Sequence, residues 1–182
     1  MKNHRTITTT KRETQRFAFL LAKKLKKAGH AKLAAVIALS GNLGSGKTTF
    51  VQGFAKGLGI KGVPKSPTFI LMQTLVIGNQ PLDAARGRQP TPGFPSATCR
   101  INRSGRATNN KRSFVCLVHI DAYRIEKPAE LEHLGFKEIL KDPHTITVIE
   151  WAEKVKELLP KNTMWIYFEH AGKNKRHITI KS

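Results

Sequence analysis

Cysteine is scarce: only Cys99 and Cys116 occur in 182 residues, with neither a C-x-x-C pair nor a Cys/His cluster at metal-ligand spacing. A zinc site or a disulfide framework therefore has little support, and reduced thiols are the expectation. Long apolar runs are missing as well. The longest early one, Phe17 to Ala22, is too short for a signal-peptide core and far too short to span a bilayer, so a cytoplasmic chain is expected. Acidic residues are the third shortage. Twelve Asp+Glu against 32 Lys+Arg leave a net charge of +20 and a pI near 10.4, an excess that fits a polyanionic partner. Charge alone does not identify RNA: Lys23, Lys24, Lys26 and Lys27 share one segment and equally describe the solvated side of a helix.

What is present is an ordinary globular composition, with 40% apolar and 24% charged residues, at a length that suits one hydrophobic core better than two. Thr10-Lys-Arg-Glu13 has the S/T-x-x-E form of a capping box, and Phe17, Leu20, Leu21 and Leu25 recur at helical spacing, which predicts a helix from about Lys11 to Lys27 closed by Gly29. Leu33 to Ser40 reads as a buried strand of a parallel sheet, and Lys47 to Leu58 as a helix closed by Gly59. Strands are predicted over Thr68 to Ile77, Phe114 to Asp121 and Thr145 to Glu150, with two more in TMWIYFEH and RHITI. Pro128 opens a helix to Leu140, and EKVKELLP suggests a short one stopped by Pro160. Between Gly78 and Ser113 stand four prolines, seven Lys/Arg and one acid without apolar periodicity, the mark of a flexible basic insertion in a single domain spanning 1–182. Strands alternating with helices predict an α/β fold of three layers around a central, mostly parallel sheet, with the last pair of strands antiparallel at an edge.

One stretch carries chemistry on its face. In GNLGSGKTTF, residues Gly41, Gly46, Lys47 and Thr48 fit G-x-x-x-x-G-K-[ST], after a predicted strand and opening a predicted helix, as a phosphate loop requires. Gly41, Gly44 and Gly46 allow the backbone N–H groups to face phosphates at the positive end of the helix. Lys47 is expected to reach the β- and γ-phosphates of ATP and Thr48 to ligate Mg²⁺. Asp121 and Glu150 each end an apolar strand at the edge from which metal-organising and water-orienting carboxylates come, and which of them does which stays open. In VPKSPTF the Thr68 hydroxyl is a candidate γ-phosphate sensor. His119 and Trp151 adjoin strand ends and suit packing as well as chemistry, and Arg124 is a candidate for charge stabilisation.

GNLGSGKTTF, KSPTF, HIDAYR, LEHLGF, IEW and LLP occur in that order, and together they resemble the bacterial tRNA threonylcarbamoyladenosine biosynthesis ATPase family, the TsaE or YjeE family. The resemblance implies a P-loop NTPase fold and a small ATPase that assists a two-protein threonylcarbamoyl transferase complex in modifying an adenosine of tRNAs that read ANN codons. It also implies that Lys47, Thr48 and Thr49 bind nucleotide, with Gly44, Ser45 and Gly46 in the same loop. Thr68 matches the switch threonine, Asp121 the functional aspartate, Glu150 the Mg²⁺-associated glutamate and Trp151 the tryptophan that follows it. Lys11 would lie near the base, and Arg176 resembles a late basic residue near the site. Ser45 stands where the family commonly has Ala. Two other readings compete: a P-loop kinase of a small molecule or nucleoside, and a nucleotide-bound tRNA-binding scaffold.

Overall fold

The computed structural model describes residues 4–29, 33–61, 71–77, 114–172 and 175–181. Seven strands follow one another as β1 (His4–Thr8), β2 (Ala35–Gly41), β3 (Met72–Val76), β4 (Cys116–Asp121), β5 (Thr145–Glu150), β6 (Met164–His170) and β7 (Arg176–Lys181). They form one sheet in the order β1-β7-β6-β2-β5-β4-β3. Its centre, β6-β2-β5-β4, is parallel, and its antiparallel character extends to both margins, through β1, β7 and β6 on one side and β3 with β4 on the other. The β3–β4 pair has a direct reason: a parallel neighbour needs a crossover, usually helical, and the intervening sequence has no helical periodicity.

Helix α1 (Lys11–Ala28) starts where the capping residues predict: Thr10 Oγ1 accepts from the Glu13 N–H at 3.1 Å, and Glu13 reaches back to the Thr9 N–H at 2.7 Å. That last bond, with the Thr9 hydroxyl, holds the Glu13 carboxyl below its ordinary value. At the far end Lys26 donates to Leu58 O at 3.1 Å, while Lys23, Lys24 and Lys27 remain exposed. Helix α2 (Lys47–Leu58) lies against α1.

The central strands are apolar on both faces because both are covered. Ile37, Leu39, Ile146 and Val148 face α1 and α2 in a core with Ala18, Ala22, Phe50 and Phe54. Val36, Ala38, Val118 and Ile149 face a second core with Leu131, Phe136, Ile139 and Val155. Those last residues belong to short helices at Ala129–His133 and Phe136–Lys141 and to a 3-10 segment at Ala152–Leu158. The single helix expected over 128–140 is thus two, broken at Gly135, whose φ of 75° is left-handed. Among the described residues no helix is long and apolar enough to cross a membrane. Cys116 is disulfide-bonded where a reduced thiol was expected, and its partner lies outside the described residues.

Candidate functional site

Three parallel strands end side by side. β2 runs into the loop 42–46, while Asp121 and Glu150, the last residues of β4 and β5, are paired in register. The carboxyl ends of a parallel sheet are where α/β folds assemble ligand sites. A cavity of about 380 Å³ opens there, lined by Leu43, Gly44, Gly46, Lys47, Thr48, Thr49, Asp121, Tyr123, Glu150 and Trp151. Its size lies within the range of small-molecule clefts, roughly 300–1,000 Å³.

Gly46 caps α2 with a left-handed φ of 105°, and a Cβ there would meet Arg176 Nε at 2.9 Å. Glycine thus satisfies both the turn and the close approach of an arginine. The first N–H groups of α2 lack intrahelical acceptors and, with the helix dipole, favour an anion at this end. Lys47 is 4% exposed, and its ammonium donates to Gly41 O at 2.6 Å and Asn42 O at 3.0 Å. Burial lowers its pKa below the ordinary 10.5, opposed by the charges of Glu150, Glu153 and Asp121. The same ammonium lies 3.8 Å from the centroid of the Trp151 ring, a cation–π contact. Trp151 adopts a left-handed φ of 57°, a strain of about 1–2 kcal/mol for a residue with a Cβ, and this turn directly follows Glu150. Its ring also meets that of Tyr123 at 5.1 Å and 50°.

The Thr48 hydroxyl donates to Glu150 Oε2 at 2.8 Å, and His119 Nε2 contacts Glu150 Oε1 at 2.9 Å. Asp121, 3% exposed, accepts the Tyr123 N–H at 3.1 Å. Lys154 donates to the carbonyls of Tyr123 and, at 3.1 Å, Ile125, which ties the segment after Asp121 to the segment after Glu150.

Of the residues singled out in the sequence, the structure brings Gly44, Gly46, Lys47, Thr48, Thr49, Asp121, Glu150 and Trp151 to one cavity. Ser45 is buried behind the loop with its hydroxyl unpartnered. Arg176 sits against Gly46 without lining the cavity. Lys11, at the exposed first turn of α1, and Arg124, also exposed, are not among the lining residues. Thr68 lies outside the described residues. Sequence reasoning missed Lys154 and the rim residue Leu43, for which there is no signal. It noted His119 without its contact, because strand register was needed to bring β4 and β5 side chains together.

The donor set fits Mg²⁺ carried by a triphosphate. Among the described residues no three His, Cys, Asp or Glu side chains form a metal cluster. A hydroxyl and two carboxylates at a helix N-terminus suit a hard cation that keeps waters and shares phosphate oxygens.

The family model described as threonylcarbamoyl adenosine biosynthesis protein TsaE matches residues 8–83 and 94–178. The tRNA threonylcarbamoyladenosine biosynthesis protein TsaE of Bacillus subtilis is 31% identical over 99% of this chain and 86% of its own length. The protein of the same name from Rickettsia bellii is 29% identical over 99% and 96%. The crystal structure of Bacillus subtilis YdiB superposes with a TM-score of 0.63 at 26% identity, covering 98% of this chain and 84% of that one.

Proposed function

Because the chain belongs to the TsaE family of threonylcarbamoyl adenosine biosynthesis proteins, with a role in making threonylcarbamoyladenosine in tRNA, we propose that it is a Mg²⁺-dependent ATP hydrolase that supports a two-protein threonylcarbamoyl transferase complex. The observation that carries the hydrolase reading is the convergence of Lys47 and Thr48 with two buried carboxylates, Asp121 and Glu150, from adjacent strands.

Mg²⁺ and ATP supply the reactive phosphoryl group and a charge-neutralising centre when bound. Lys47 would exchange the carbonyls of Gly41 and Asn42 for phosphate oxygens, a stronger charge-assisted bond. Thr48, whose hydroxyl now donates to Glu150, would offer its oxygen to the metal, and Glu150 would help to hold it. Asp121, buried beside Glu150 at the end of the adjacent strand, would orient the attacking water. Tyr123 and Trp151 wall the cavity and limit access of bulk solvent. The protein contributes position and charge, which is most of what phosphoryl transfer asks of it.

The test is the rate of ATP hydrolysis with the transferase pair absent, present, and present with tRNA. Stimulation by the pair, with ADP and phosphate as the only products, is expected. A phosphorylated small-molecule acceptor would move the assignment to a kinase. Tight ATP binding by Lys47→Ala would remove the phosphate-loop reading altogether.

A further inference from the structure

Within the core beneath α2 lies one imidazole. His119 is wholly buried, on the strand that carries Leu117 and Asp121 and opposite Val148 of β5. Its Nε2 approaches Glu150 Oε1 at 2.9 Å, while Thr48 holds the other carboxylate oxygen at 2.8 Å. A carboxylate only accepts, so Nε2 is the donor. Both oxygens of Glu150 are therefore gripped, one from the sheet and one from the phosphate-loop helix.

The other imidazole nitrogen, Nδ1, is buried without a hydrogen-bond partner. So is Gln73 Oε1, on the residue paired with His119 across β3. A buried unsatisfied polar atom costs roughly 1–3 kcal/mol, so an apolar residue of similar shape would pack this position better. Glu150 is what the imidazole serves.

We propose that His119 is a positioning residue that aims the Glu150 carboxylate, and through it sets how tightly Mg²⁺ is held with ATP. This rests on the assignment of Glu150 to the metal above. Partners that orient a metal-associated group from behind typically change metal affinity by about 10–100-fold when removed.

The experiment is calorimetric titration of the full chain with ATP, in Mg²⁺ and in EDTA, with melting temperatures taken in parallel. The readout is the ratio of the two affinities. Wild type binds more tightly with Mg²⁺. His119→Leu narrows that ratio by about tenfold and leaves the EDTA affinity unchanged. His119→Gln, whose amide nitrogen can stand near the place of Nε2, restores most of it. His119→Asn, too short to reach Glu150, does not. In a Glu150→Ala background, His119→Leu has no further effect.

A wild-type ratio in His119→Leu would overturn the proposal. So would equal loss in the Gln and Asn variants, or a uniform fall in affinity with and without Mg²⁺, which marks a purely structural residue. If His119→Leu is too unstable to titrate, the Gln/Asn contrast decides. A wild type whose ATP affinity ignores Mg²⁺ sinks the metal assignment of Glu150 and this inference with it. Failure confined to the variants concerns His119 alone.

Discussion

Replacing Gly53 by alanine pits two effects of opposite sign against each other. In an isolated helix the change stabilises by about 1 kcal/mol, because glycine is the poorer helix former. In this protein Gly53 is where α2 meets α1: a Cβ would lie 2.3 Å from Gln15 O, 2.6 Å from Gln15 Cα and 2.8 Å from Gln15 C. All three are backbone atoms, so no side-chain rotation relieves the contact, and α1 must move by about 1 Å in an interior packed at crystal-like density. Overpacking of this kind costs about 1–3 kcal/mol, with the upper part of that range fitting a rigid obstacle. The packing cost exceeds the propensity gain, leaving a net loss of about 1–2 kcal/mol. For a chain of this size that lowers the melting temperature by about 2–8 °C. Circular dichroism melts of the nucleotide-free protein measure it. A melting temperature equal to or above wild type would mean that α1 and α2 are not in this contact, and the helix pair behind the phosphate loop would need redrawing.

Two further outcomes follow from the site. Since burial lowers the pKa of Lys47 below 10.5, the unfolded chain binds more protons in the window between that lowered value and 10.5, and stability rises with pH there. Lys47→Met removes this increment, so the difference in melting temperature between wild type and variant shifts toward wild type as pH climbs through the window; a difference flat in pH would refute the buried ammonium. Because the Lys47 ammonium rests on the Trp151 ring and would leave it for phosphate oxygens under the proposed function, ATP titration is expected to change tryptophan fluorescence. Trp151→Phe abolishes the change although Trp165 remains, and an undiminished signal from that variant would place its source at Trp165.

Much of the parallel centre was legible because β2, β4 and β5 are apolar runs ended by a glycine or a carboxylate. Thr145–Glu150 has the boundaries read from the residues, and α1 begins at the capping pair. The margins were not legible. β1, HRTIT, has a single apolar residue, and its partner β7 lies far off in sequence; only tertiary pairing makes it a strand. The loop lysine, the adjoining threonines and the two strand-end acids could be named because a phosphate loop needs those chemistries at those spacings. The grip of His119 on Glu150 and the backward fold of Trp151 depend on register and on one left-handed residue, and no spacing rule encodes either.

The antiparallel pairing of β3 with β4 has a consequence for how the protein can be rebuilt. Val76 pairs with Cys116, and Ile77 N donates to Val115 O at 2.9 Å, so the described chain departs after Ile77 and returns at Phe114 by the amino end of β4. Asp121 marks that strand's other end. Both anchorage points therefore stand at the pole remote from the phosphate loop, so a foreign module spliced between them, keeping a cysteine for Cys116, would start and end at the bottom of the sheet and leave the top face to its chemistry.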